Sequence, residues 1–177
     1  MLNPDFFALF GLTERFAIDP QALAAAYRTI QSSVHPDRFV RAMDSERRLA
    51  MQMSTHADEA FRTLNDPVRR ALYLCSRHGV TVDVDRGSGL GLEFLEQQML
   101  WREQLDDASQ AKDRAQVLAL RQTLEQVRGA SIAELGQSLD VDHDYVRAAG
   151  LSRQLMFIDK FEVSVAAADR QLAEQAA

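Results

Sequence analysis

One cysteine, Cys75, is the whole thiol complement of this 177-residue chain, which excludes an intramolecular disulfide and any cysteine-built metal cage within one chain. It lies in the apolar run Ala71-Leu72-Tyr73-Leu74-Cys75, where a small buried thiol without a redox role is expected. No stretch of about 18 uncharged apolar residues occurs, so a membrane-spanning helix is excluded. Lysine is absent from the first 78 residues, where ten Arg face nine Asp and Glu; residues 79–177 carry ten basic and 17 acidic groups, so the net charge of −6 comes from the second half. An acidic half of this kind argues against general nucleic-acid binding, which needs clustered cations to neutralise phosphates, and the first half is only nearly balanced. The asymmetry also divides the chain into two parts. Residues 1–12 hold Asp5 and no basic group, unlike a secretory signal or an Arg-rich transit peptide, so a cytoplasmic location is expected.

Other chemistry is missing as well. Gly87, Gly89 and Gly91 alternate, but position 92 is Leu, which breaks the dinucleotide fingerprint, and no phosphate loop with Lys-Ser or Lys-Thr exists. Asp83-Val84-Asp85 and Asp140-Val141-Asp142-His143-Asp144 lack the Gly and Glu that a calcium loop needs at its sixth and twelfth positions, and read as turns and caps. His35, His56, His78 and His143 show no zinc-protease spacing. A His35–Asp37 catalytic pair is conceivable, but no Ser or Cys is placed as an obvious nucleophile. No cofactor, no metal and no enzyme activity are expected.

Proline is scarce, four in all, and informative for that reason. Asn3-Pro4, Asp19-Pro20 and Asp66-Pro67 each pair an N-cap side chain with a residue that loses no helix bond in the first turn. The first pair predicts a short helix with Phe6, Phe7, Leu9 and Phe10, ended by Gly11. The second predicts a helix to about Val34, with Leu23, Tyr27, Ile30 and Val34 on one buried face. Ser45-Glu46-Arg47-Arg48 opens a third helix through Leu49, Met53, Ala57, Ala60, Phe61 and Leu64. The third pair opens a fourth with Val68, Ala71, Leu72 and Cys75. The glycine-rich span 79–91 reads as a connector.

From Leu92 the pattern is helical again. Phe94, Gln98, Trp101 and Leu105 share one face, and Leu92, Leu95 and Met99 form a second apolar stripe that is either bundle core or a binding face. A following helix carries Val117, Leu118, Leu120, Leu124 and Val127, with a possible break near Gly129, then Ile132, Leu135 and Leu139. The last uses Leu151, Leu155, Ile158, Phe161, Val165 and Leu172. Three such helices predict an antiparallel bundle, and the chain is all-α.

The remaining proline stands in His35-Pro36-Asp37, between two long amphipathic helices; Pro36 disfavours helix at His35 and stiffens the turn. With Tyr27-Arg28 before it, Arg38-Phe39 after it and Ala60-Phe61-Arg62-Thr63-Leu64-Asn65-Asp66-Pro67 closing the second helix, the arrangement resembles a J-domain, the Hsp70-stimulating module of co-chaperones. Behind it, Asp66-Pro67-Val68-Arg69-Arg70-Ala71-Leu72-Tyr73-Leu74, Phe94-Leu95, Arg102-Glu103-Gln104-Leu105-Asp106 and Phe157-Ile158-Asp159-Lys160 are similar to the HscB-type co-chaperones of iron-sulfur cluster assembly. The chain lacks the cysteine-rich N-terminal extension of some eukaryotic relatives and resembles the bacterial type.

The resemblance implies a J-domain over 1–78, a linker over 79–91 and a scaffold-binding three-helix bundle over 92–177. It implies an adaptor that brings an IscU-type scaffold to a specialised, HscA-type Hsp70 and stimulates that partner's ATPase. His35, Pro36 and Asp37 carry over as the Hsp70-stimulating element; Arg28, which turns away from the buried stripe, and Arg38 are added to it. Leu92, Leu95, Met99, Arg102, Glu103 and Phe157 match the scaffold-binding positions. Phe157 lies about 80° from the core direction of its helix at roughly 100° per residue, at a flank. Two features depart from the family: only Arg28 is basic between Pro20 and His35, and Glu96 and Leu100 stand within the patch. The competing reading is a helical structural or assembly protein in which His-Pro-Asp is incidental.

Overall fold

The computed structural model describes residues 5–35, 43–81 and 91–175, and every regular element among them is an α-helix. The start expected at Asn3-Pro4 lies outside the described residues. The first helix observed, α1 (Phe6–Leu9), is capped instead by Asp5, whose carboxylate accepts from the Ala8 N–H at 2.9 Å, and Gly11 at φ 64° ends the turn. α2 (Pro20–Val34) begins as its sequence implies, with Asp19 accepting from the Gln21 N–H at 2.8 Å. α3 (Asp44–Asn65) starts a residue before the expected Ser45, and Glu46 accepts from the Met43 N–H at 3.0 Å. α4 (Pro67–Arg77) is capped by Asp66, which accepts from the Arg69 N–H at 2.8 Å.

α2 and α3 form an antiparallel hairpin, since Tyr27 and Gln31 both reach back to Asp58. Leu23 is fully buried in it, whereas Tyr27, Ile30 and Val34 are only half-buried, because α3 is the one helix packed extensively on α2. On α3 the interior is taken by Ala50, Ala57, Ala60 and Leu64. Leu49, expected on that face, is exposed, the neighbouring Ala50 having rotated into the core position.

α5 (Leu92–Gln110), α6 (Arg114–Asp140) and α7 (Tyr145–Gln175) form the bundle. Ion pairs mark α6 and α7 as antiparallel: Arg114–Asp169 at 2.6 Å, Arg128–Asp159 at 2.7 Å and Arg147–Glu134 at 2.6 Å. Lys112 and His143, at φ 54° and 53°, turn the two links, and Asp113 and Asp144 cap the helices that follow. α6 runs unbroken through Gly129, so the interruption considered there does not occur. Leu118 is exposed, while Val117, Leu120 and Leu124 are buried.

Two cores result, and α7 belongs to both. One gathers Trp101, Leu105, Val117, Leu124, Ile158, Phe161 and Val165 within the bundle. The other joins Phe7, Phe16, Leu23, Leu64, Val68, Leu74 and Cys75 to Leu135, Leu139, Ala148, Leu151 and Leu155, so the N-terminal helices are seated on the end of the bundle. Of the connector expected at 79–91, residues 82–90 lie outside the described residues. No helix among the described residues is long and apolar enough to cross a membrane.

Candidate functional site

At the hairpin end, a polar zipper fixes α2 against α3. The Tyr27 hydroxyl donates to Asp58 Oδ1 at 2.7 Å, Gln31 Nε2 donates to the same oxygen at 2.6 Å, and the Tyr27 ring stacks on Phe61 at 4.3 Å. The hydrogen bond to the Asp58 carboxylate, with burial, pushes the Tyr27 phenol pKa up. Tyr27 is thereby committed to the interior of the hairpin. Arg28 is exposed beside it, with Thr29, Ser32 and Ser33 further along the same outer surface. His35 is exposed and extended at φ −58°, ψ 134°, as the residue before a proline should be. Pro36, Asp37 and Arg38 lie outside the described residues.

The second candidate surface is on α5. Trp101, Leu105, Ala108 and Gln98 point into the bundle. Leu92 and Met99 lie about 160–180° round the helix from Trp101 at roughly 100° per residue, and Leu95 about 120°. Accordingly Leu92 is 72% exposed, Met99 63% and Leu95 39%, with Leu100 exposed beyond them. The second apolar stripe is therefore not bundle core. Glu96, Glu103 and Asp106 border it, all exposed.

Phe157 reaches this surface from α7. It is half-buried, edge-on to Phe94 at 5.9 Å and stacked on Phe161 at 5.9 Å, and the Arg102 guanidinium lies 5.5 Å from its ring centroid. The cation over the ring face favours this placement electrostatically. The Arg128–Asp159 pair holds α7 to α6 two residues further along. A shallow groove of about 390 Å³ continues from Arg102 and Phe157 between α5 and α7, bordered by Asp106, Lys160 and Ser164 over a floor of Leu105 and Phe161. Sequence reasoning did not assign Asp106, Lys160 or Ser164 to the site. The 157, 160, 161, 164 spacing on one helical face was the available signal.

The structure thus brings Leu92, Leu95, Met99, Arg102 and Glu103 onto one side of α5 and sets Phe157 beside Arg102. Arg28 and His35 stand apart from them, on α2. Elsewhere, the histidines have structural neighbours: His56 lies against Phe6, His78 stacks on Tyr145 at 3.9 Å, and His143 Nδ1 is 3.1 Å from the Leu139 carbonyl. Among the described residues no cluster of three His, Cys, Asp or Glu is disposed to hold a metal ion.

A family model described as the HSCB C-terminal oligomerisation domain matches residues 91–166. A co-chaperone protein HscB homolog of Cupriavidus taiwanensis is 48% identical over 161 residues, 91% of each chain. Its counterpart in Bordetella avium is 45% identical over 167 residues, 94% of this chain and 98% of its own. Among solved structures, chaperone HscB from Vibrio cholerae superposes with a TM-score of 0.85 at 31% identity, over 96% of this chain and 99% of its own. Human co-chaperone HscB shares the fold, with a TM-score of 0.87 at 22% identity over 93% of this chain and 82% of its own.

Proposed function

The chain belongs to the HscB family of co-chaperones, which are not themselves enzymes, and from that premise we propose that it is a cytoplasmic adaptor in iron-sulfur cluster assembly. Residues 1–78, as the J-domain, engage a specialised HscA-type Hsp70 through His35, Pro36 and Asp37 with Arg28 and Arg38, and stimulate its ATPase. Residues 92–177 hold the IscU-type scaffold on Leu92, Leu95, Met99, Arg102, Glu103 and Phe157. Hydrolysis by the Hsp70 then traps the delivered scaffold and promotes cluster transfer. Holding two partners on one body raises the concentration each presents to the other, so no bond-making side chain is required of this chain.

The observation that carries the reading is the unpartnered apolar face of α5, with Leu92 and Met99 both mostly exposed on a helix whose core positions are already filled. Side chains of this size contribute roughly 1.5–3 kcal/mol each when a partner buries them fully. Replacing Leu95, Met99 and Phe157 together by Ala is expected to weaken scaffold binding at least about 100-fold by titration calorimetry, with circular dichroism verifying the fold. The same variant should still stimulate the Hsp70 ATPase in the absence of scaffold, whereas Asp37→Asn should not. Unchanged scaffold affinity in the folded triple variant, or no stimulation by the wild type, overturns the corresponding half of the proposal.

The oligomerisation named in the matching family model favours a second use of the α5 face, association with another copy of the chain. Sedimentation of the wild type and the triple variant without partners distinguishes the two, because only self-association depends on protein concentration alone.

A further inference from the structure

The apolar face of α5 carries one side chain whose chemistry differs from that of its neighbours. Leu92, Leu95 and Met99 follow one another at helical spacing, and of the three only Met99 has an atom that can change its oxidation state. Met99 is 63% exposed, on the far side of the helix from Trp101, and Glu96, Arg102 and Glu103 about one turn away are exposed too.

The other sulfur atoms of the described chain are placed differently. Cys75 is buried. Met53 and Met156 are half-buried, the second against the core that α7 shares with α4. Met43 and Met51 are mostly exposed, but they stand at the cap and in the first half of α3, a helix that touches none of α5, α6 and α7. Met99 is therefore the one described methionine that is both open to solvent and set in a candidate binding surface.

Access governs how fast a thioether reacts with a peroxide. With hydrogen peroxide, the sulfur lone pair attacks one oxygen, and the O–O bond breaks as the S–O bond forms. The departing hydroxide takes the proton left on the transferred oxygen and becomes water. Sulfur loses two electrons and the peroxide gains them. The product is a sulfoxide, a polar acceptor where an apolar atom stood. On the free helix water hydrates that oxygen, and the bundle core, to which Met99 does not belong, is untouched. Beneath an apolar partner surface the same oxygen is left without a donor, a cost that only the complex bears.

We propose that Met99 is a site of reversible oxidation by hydrogen peroxide, and that its sulfoxide releases the scaffold from the α5 face. The reverse step takes two electrons from a dithiol, which becomes a disulfide, and returns the oxygen as water, the reaction of methionine sulfoxide reductases. The release rests on the function proposed above; the reactivity of Met99 does not.

The test uses the full-length protein and the IscU-type scaffold, with a peroxide dose that leaves the circular dichroism unchanged. Peptide mass spectrometry should show Met99 gaining oxygen at least about tenfold faster than Met53 or Met156. Saturating scaffold should slow Met99 at least about tenfold and leave Met51 within about twofold. After the peroxide is removed with catalase, protein oxidised at Met99 should bind scaffold at least about tenfold more weakly by titration calorimetry. Dithiothreitol with reductases for both sulfoxide epimers should restore the affinity. The double variant Met43→Leu, Met51→Leu should lose affinity on treatment as the wild type does, whereas Met99→Leu, compared with its own untreated form, should lose none. A Met99 that oxidises no faster than the half-buried methionines overturns the proposal, and so does an equal loss of affinity in Met99→Leu. If untreated wild type binds no scaffold, the functional reading fails and the release fails with it. Binding that survives complete oxidation of Met99 sinks the release alone.

Discussion

The thiol of Cys75 points at the Tyr145 carbonyl, 3.4 Å away, and is shut off from solvent. Burial disfavours the thiolate and pushes its pKa up to about 11. Two expectations follow at the scale of this one residue. Iodoacetamide at pH 8 should modify Cys75 at least about 100-fold more slowly in the native chain than in urea, because the thiolate is the nucleophile. The folded thiol keeps its proton to about pH 11, while the unfolded one releases it near the ordinary value of 9.0. Its stabilising contribution is thus complete below about pH 9 and is lost as pH rises towards 11, at most roughly 2–3 kcal/mol. The raised Tyr27 phenol acts in the same direction, so the difference between wild type and Cys75→Ala in urea unfolding at pH 8 and 10.5 isolates the thiol. The burial of Cys75 was legible in its apolar run. Its contact with α7 was not, since nothing local in residues 71–75 indicates which distant helix closes over them.

Helices are where the sequence was most readable, because caps and periodicity are local. Asp19-Pro20 and Asp66-Pro67 open α2 and α4 with the side-chain bonds their chemistry implies. Gly129 shows where local reasoning fails. A glycine within a helix costs propensity, yet α6 continues through it, because α7 lies against the length of α6 and Arg128–Asp159 pins the neighbouring turn. No heavy atom outside its own helix backbone and chain neighbours comes within 4 Å of a Cβ built at Gly129, so Gly129→Ala should raise stability by about 0.5–1 kcal/mol in chemical denaturation. Gly79 has equally open surroundings but φ 78°, so Gly79→Ala should cost about 1 kcal/mol in the same assay. On α5 the two apolar stripes were legible, but periodicity alone could not say which one faced the bundle. The groove border of Asp106, Lys160 and Ser164 needed both helices in place before it could be seen at all.

For the whole molecule, the composition divides at about residue 78 while the hydrophobic core does not. Leu74 and Cys75 of α4 pack with Ala148, Leu151 and Leu155 of α7, a partnership absent from every local pattern in the chain. The 1–78 fragment would expose that face of α4 to water. Its thermal transition, followed by circular dichroism, should accordingly lie well below that of the full chain and be less cooperative; a matching melting temperature would show that the hairpin and α1 suffice.

That shared core also sets an order of events during synthesis. The residues that finish the N-terminal core, up to Leu155, leave the ribosome about 4–15 seconds after residue 78 at ordinary elongation rates of roughly 5–20 residues per second. Throughout that interval the α2–α3 hairpin can form while the apolar side of α4 waits uncovered. The half that is made first therefore cannot be completed until most of the second half has been made.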